Sequence, residues 1–349
     1  CCDAAAATGA APAGPAGTHA CYVDALTPPT GTPVFDAVAA AAGYTDNCGD
    51  VVTASLTSTS VSGNNCSWTV TYTFSVSDAC GNSLPGQTIQ HSGSDQTAPT
   101  GAAPAGTTGV NACYVDALTP PTGTPAFDAV AAAAGYTDNC GGVVTASLTS
   151  TSVTGNNCSW TVTYTFLVFV ACGNSIPGQI IQHSGSDQTA PTGAAPAGTT
   201  GVNACYVDAL TPPTGTPAFD AVAAAAGYTD NCGGVVTASL TSTSVTGNNC
   251  SWTVSYTFSV SDDCGNTLPG QTILHSGSDQ TVPIISLTGL SSVSLCQNSS
   301  YIDAGATASD NCSGILTGSI NTNNPVNTAS PGTYFVTYNV SDACGNPAV

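Results

Sequence analysis

Four cysteines recur three times along this chain without a single insertion or deletion between them. Cys21, Cys48, Cys66 and Cys80 return as Cys113, Cys140, Cys158 and Cys172, and again as Cys205, Cys232, Cys250 and Cys264, each offset by 92 residues. A period this long, with its own cysteines and its own tryptophan, is a whole domain copied head to tail rather than a solenoid repeat. The expected layout is an elongated rod of four beads: 1–97 with an N-terminal linker, 98–189, 190–281, and a divergent bead at 282–349.

Within a bead the clearest strand is predicted from Ser67 to Ala79. Trp68, Val70, Tyr72, Phe74 and Val76 alternate with Thr69, Thr71, Thr73, Ser75 and Ser77, the period-two pattern of a half-buried antiparallel strand. The third copy repeats it, while the second keeps the inner face and places Leu167 and Phe169 on the outer one. Val51 to Val61 and Gln87 to Asp95 read as further strands, separated by Asn, Gly and Pro. Phe35 to Asp46 is ambiguous, since Ala39 to Ala42 favours helix and the flanking Pro33 and Gly43 favour an extended segment; it is read as strand. Short strands and a core tryptophan in 92 residues predict an all-β fold of tandem immunoglobulin-like sandwiches.

Composition narrows the setting. The chain has no Lys, Arg or Met, and its 20 acidic residues, all Asp, give a formal charge of −20. Nothing can neutralise phosphates, which excludes nucleic acid as a partner, and no internal ion pair to Lys or Arg can form. The acidic surface would attract metal cations. Seventeen cysteines at fixed positions imply an oxidising, extracellular compartment. No apolar run reaches the length of a membrane span, and no basic, cleavable leader opens the sequence, which therefore reads as a mature form or a fragment.

The cysteine pairing is constrained by distance. Cys66 and Cys80 bracket one strand, so at ~3.3 Å per residue they lie roughly 45 Å apart and cannot bond to each other. Both share the parity of Trp68, which predicts cross-core bridges near opposite ends of the sandwich: Cys48 with Cys80 plus Cys21 with Cys66, or the crossed set. The divergent bead selects the first. It keeps Cys296, Cys312 and Cys344 in the contexts of Cys21, Cys48 and Cys80 and has no counterpart of Cys66, so Cys312 is expected to pair with Cys344. The same scheme gives Cys140 with Cys172, Cys113 with Cys158, Cys232 with Cys264, and Cys205 with Cys250. Cys1, Cys2 and Cys296 are then left over, an odd remainder that suggests bonds to another chain.

The segments Thr45-Asp46-Asn47-Cys48-Gly49, Ser77-Asp78-Ala79-Cys80-Gly81-Asn82 and Asp95-Gln96-Thr97-Ala98-Pro99 resemble the immunoglobulin-like and hyalin-repeat-like modules of secreted bacterial surface proteins, such as adhesins exported by type IX secretion. Tyr301 to Gly314 and Pro331 to Asn346 are similar to a bacterial surface immunoglobulin-like domain. The resemblance implies a spacer, stalk or adhesive unit at the cell surface and implies no activity.

Three candidate chemistries remain. Asp46, Asp50, Asp78 and Asn82 should gather at the Cys48–Cys80 end of a bead, where their oxygens could hold calcium. Copy two has Gly142 and Val170 in place of Asp50 and Asp78, so turn capping is the reading adopted there, with calcium as the alternative. His91, His183 and His275 lie beside Ser and Asp in an extended segment that cannot fold back into a triad, and read as surface residues. Asn65, Asn157, Asn249, Asn298, Asn311 and Asn339 begin Asn-X-Ser sequons, and the outer Thr and Ser rows offer further sugar sites.

The divergent bead ends before the strand that follows Asn82 in the other copies, leaving an open sheet edge. Residues 1 to about 17 of one copy could supply that strand to the next by β-addition, with Cys1 or Cys2 cross-linking to Cys296. An interface of that kind does not close and gives a filament. The expectation is an extracellular structural protein, a non-enzymatic fibre or stalk subunit whose main partner is itself and which requires no cofactor. The alternative is a calcium- or glycan-binding adhesin module that meets glycans or cell surfaces.

Overall fold

The computed structural model describes residues 4–26, 31–118, 123–210 and 217–348. It is almost wholly β, built from repeated small sheets in immunoglobulin-like sandwich units, and divides into two compact units, Cys1–Ser186 and Asp187–Val349.

Copy one shows the pattern. Its elements are β1 (Thr8–Gly9), β2 (Thr18–His19), α1 (Tyr22–Leu26), α2 (Ala37–Ala41), β3 (Tyr44–Thr45), β4 (Thr53–Asn64), β5 (Ser67–Ser77) and β6 (Ser83–Ser94). One sheet has the order β2-β6-β5-β4, with β2 parallel to β6 and the rest antiparallel. The alternation in β5 settles which face is inner: Trp68, Val70, Tyr72, Phe74 and Val76 are all buried. A short ribbon of β1 and β3, with α1 and α2, packs on that face, so Ala25 meets Trp68 and Val70 while Ala7, Ala40 and Tyr44 meet Phe74 and Val76. Polar ends of the core aromatics are paired, Trp68 Nε1 donating to Ala20 O at 2.9 Å and Tyr44 Oη to Gln87 Oε1 at 2.8 Å. The corresponding residues of the second and third copies pair in the same registers.

The segment from Phe35 to Asp46 is corrected. It forms helix α2 before the short strand β3, because Asp36 caps it: Asp36 Oδ1 accepts from Val38 N at 2.9 Å and Ala39 N at 3.1 Å. Alanine propensity then operates with the orphan amides satisfied, and Ala40 is fully buried.

The histidines are corrected as well. His91, His183 and His275 are buried and stand edge-on to Tyr72, Tyr164 and Tyr256. They lie on the inner face of β6 and its copies, opposite Val70, Val162 and Val254. An imidazole there fills a core position that the polar context of the sequence concealed.

Residues 4–19 are engaged in their own copy. Thr8 pairs with Thr45, Thr18 with Gly93, and Ser92 N donates to Pro15 O at 3.0 Å. In the C-terminal segment Ile284–Leu287, Ala306–Asp310 and Gly314–Ile315 form one small sheet, and Asn321–Asn323 pairs with Thr337–Asn339.

Candidate functional site: the junctions between copies

The hairpin of β4 and β5 turns through two residues, Asn65 and Cys66. Asn64 Oδ1 accepts from Cys66 N at 2.9 Å and Ser67 N at 3.2 Å, which pins the turn at the end of the sheet. Cys66 therefore does not continue the inner face of β5. It projects past the end of the sheet and is bonded to Cys172 of the second copy, with 4.7 Å between Cα atoms. Cys172 lies in a turn of copy two that is held by Gly173 N donating to Val170 O.

A second bridge runs alongside. Cys21, one residue before α1, is bonded to Cys140 with 5.3 Å between Cα atoms. In the other compact unit Cys205 is bonded to Cys312 and Cys250 to Cys344, repeating both connections between copy three and the C-terminal segment. Cys113, Cys158, Cys232 and Cys264 are disulfide-bonded too.

Wherever these four bridges run, the intra-bead scheme is overturned. Neither Cys21–Cys66, Cys140–Cys172, Cys205–Cys250 nor Cys312–Cys344 forms, and no bridge joins Cys48 to Cys80. The expected pairs put sulfurs across a core, whereas Cys66, Cys140 and Cys172 lie in turns and Cys21 directly before α1, and each is bonded to a cysteine of the neighbouring copy. Cys296 is exposed and unbridged; Cys1 and Cys2 lie outside the described residues.

Asparagines complete the junction. Asn65 accepts from Tyr22 N at 2.9 Å and donates through Nδ2 to Cys140 O at 3.0 Å; Asn174 Nδ2 donates to Asp95 O at 3.1 Å. Asn249 and Asn346 make the same contacts to Cys312 O and Asp279 O. The Asn311 amide lies against the Cys205 and Cys312 sulfurs, and Asn157 Oδ1 accepts from Tyr114 N. Three of the six sequon asparagines, Asn65, Asn249 and Asn311, are therefore junction parts, and the Asn157 side chain is committed within its own copy. Asn298 and Asn339 are exposed.

Among the proposed calcium ligands, Asp78 and Asp46 each accept from amides of their own turn. Asp78 accepts from Cys80 N, Asn82 N and Asn82 Nδ2, and the Asn82 side chain is the largest cause holding its carboxyl below the ordinary value. That is turn capping. Asp46 accepts from Cys48 N at 2.8 Å and Asp50 N at 3.4 Å, and Asp50 Oδ2 lies 3.7 Å from Cys80 Sγ.

Where one copy follows another, a further carboxylate joins the counterpart of Asp46, and in copy three that of Asp78 as well. It comes from the buried Asp95 position, which sequence reasoning had set aside with the histidine segment. Asp95 meets Asp138, Asp187 meets Asp230 and Asp262, and Asp279 meets Asp310, their oxygens lying within 4.8 Å of one another in each group. These buried clusters have a donor set that could chelate a divalent ion. Only a three-dimensional neighbour creates them, so no spacing within one repeat could have disclosed the third member.

Residues 285–349 match the family described as "Bacterial surface protein, Ig-like domain". Comparison with curated proteins returned no match. That domain match, the repeated sandwich units and the bridges together support an extracellular, disulfide-stabilised, repeat-domain surface protein.

Proposed function

We propose that this protein is a subunit of a surface fibre or stalk, made of four modules with boundaries near residues 97, 189 and 281, in which the first module is locked covalently to the second and the third to the fourth. The observation that carries this reading is the double bridge, Cys21–Cys140 beside Cys66–Cys172, repeated as Cys205–Cys312 beside Cys250–Cys344. One bridge leaves two domains free to swivel; two bridges plus the Asn65–Cys140 hydrogen bond restrict that rotation. Tandem domains otherwise move relative to each other by default, so a locked junction is a specific investment in stiffness. Calcium in this architecture acts at the junction carboxylates rather than in the Asp46–Asp50–Asp78–Asn82 loop of copy one.

Head-to-tail joining of copies follows the same rule. Cys296 occupies the sequence position of Cys21 and Cys205, both of which bridge forward to a following module, and it is exposed. Donation of residues 1–17 as a strand would first have to break the Thr8–Thr45 and Thr18–Gly93 pairs, so a sulfur link without strand exchange is the form favoured. Electrophoresis of the purified protein without reductant tests it. A ladder of multiples that collapses on reduction and is abolished by Cys296→Ser is expected, with fibres visible by electron microscopy. A wild-type protein that runs only as monomer and forms isolated short particles would instead favour an adhesin module binding glycans or cell surfaces.

A further inference from the structure

We propose that Asp279, Asp310 and Asp342 form a binding site for a hard divalent cation of the calcium type, clamping copy three to the C-terminal segment, and that Asp187, Asp230 and Asp262 form a second such site. The inference rests on the end-to-end reading of the modules given above.

The first ground is geometric. Oxygens of Asp279 and Asp310 lie within 4.8 Å of one another beside Cys312 Sγ, and Asp187 stands in the same relation to Asp230 and to Asp262. The sulfurs beside them belong to bridged cysteines and offer nothing to a hard cation, so the donor set is oxygen alone.

The second ground is an unmet demand. Asp279 is 3% exposed, and while one of its oxygens accepts from Thr281 N at 3.0 Å, its Oδ2 is buried with no hydrogen-bond partner. Asp310 Oδ2 and Asp230 Oδ1 are buried and unpartnered in the same way. Asn346 Nδ2 donates both to Asp342 Oδ2 and to Asp279 O, which brings the Asp342 carboxylate beside Asp279, and two carboxylates cannot satisfy each other by hydrogen bonding. Burial first, and then Asp310 and Asp342, push the Asp279 carboxyl above its ordinary value.

The third ground is that the chain cannot meet this demand itself. It contains no Lys or Arg, so a compensating cation must come from solution. Asp342 is already fixed as an anchor, accepting from Cys344 N and Asn346 N at 2.8 Å, and its carboxylate retains lone pairs for a metal. Burial works to raise the Asp342 carboxyl, but Asn346 and the turn amides outweigh it and hold the group below its ordinary value. Val170 stands at the Asp262 position in copy two, leaving only Asp95 and Asp138 there, so that junction carries no third carboxylate.

The test uses the full chain, stripped with EDTA and titrated with calcium chloride by calorimetry, with thermal melts in parallel. Two sites with dissociation constants of about 10⁻⁴–10⁻³ M, the range of extracellular calcium modules, and a raised melting temperature are expected. Asp279→Asn should remove one site, and Asp279→Asn with Asp187→Asn should remove both. Melts of these variants without calcium should match or exceed the wild type, showing that they fold. Absence of binding into the millimolar range, or a calcium shift that persists in the double variant, overturns the proposal. Bridges between copies, mapped on the same samples, report on the modular chain independently: if they persist while calcium binding is absent, the cation site alone falls.

Discussion

Histidine is the residue whose role differs most between sequence and structure. Thr107 N donates to His183 Nδ1 and Thr199 N to His275 Nδ1, both at 2.9 Å, which requires the neutral ring with its proton on Nε2. Burial pushes both imidazoles below the ordinary value of 6.5. The unfolded chain therefore takes up protons at a pH where the folded chain refuses them. Their contribution to stability is present above pH 6.5 and is lost as pH falls below it, toward the depressed folded value. Urea unfolding at pH 8 and pH 5 should show lower stability at the acid end, and His183→Asn with His275→Asn should flatten that dependence. An unchanged slope in the double variant would contradict the placement. Residue type alone could not reveal this, because the serines and aspartate around each histidine read as surface while its parity with Ile89 or its copies reads as core.

At the scale of elements the long hairpin strands were legible and the short pieces were not. Trp68 to Val76 declare their face by alternation, because one side of the sheet is buried and the pleat has period two. Helix α2 is five residues long and stands on a cap and on tertiary packing, which alternation cannot report. The parallel pairing of β2 with β6 is equally silent in sequence, since it depends on a glycine at the point of contact. A Cβ on Gly93 would come within 2.2 Å of Trp68 Cζ2 and 2.3 Å of Thr18 O. Gly93→Ala should therefore cost about 1–3 kcal/mol by overpacking, measured by chemical denaturation. Thr73→Ala, a substitution on the half-exposed outer face of β5, serves as the comparison and should cost less.

For the whole molecule, the 92-residue repeat leads to an expectation of four modules and misdirects their cross-linking. A self-sufficient bead would pair Cys21, Cys48, Cys66 and Cys80 within their own 92 residues. The hairpin turn at Asn65-Cys66 instead directs sulfur outward, and the bridges enclose between 94 and 119 residues of chain. Loops of that length restrict the unfolded state by roughly 4–5 kcal/mol per bridge. Small modules with few charges gain stability from such closure that their own cores would not supply. The most direct test is a peptide map of the unreduced protein, digested with a protease that does not require Lys or Arg. The Cys66 peptide is marked by Ser62 and the Cys172 peptide by Phe169, so their pairing can be read despite the repeats. Inter-copy locking predicts that these two peptides are joined and separate on reduction; Cys66 found joined to Cys21, or Cys172 joined to Cys140, would contradict it.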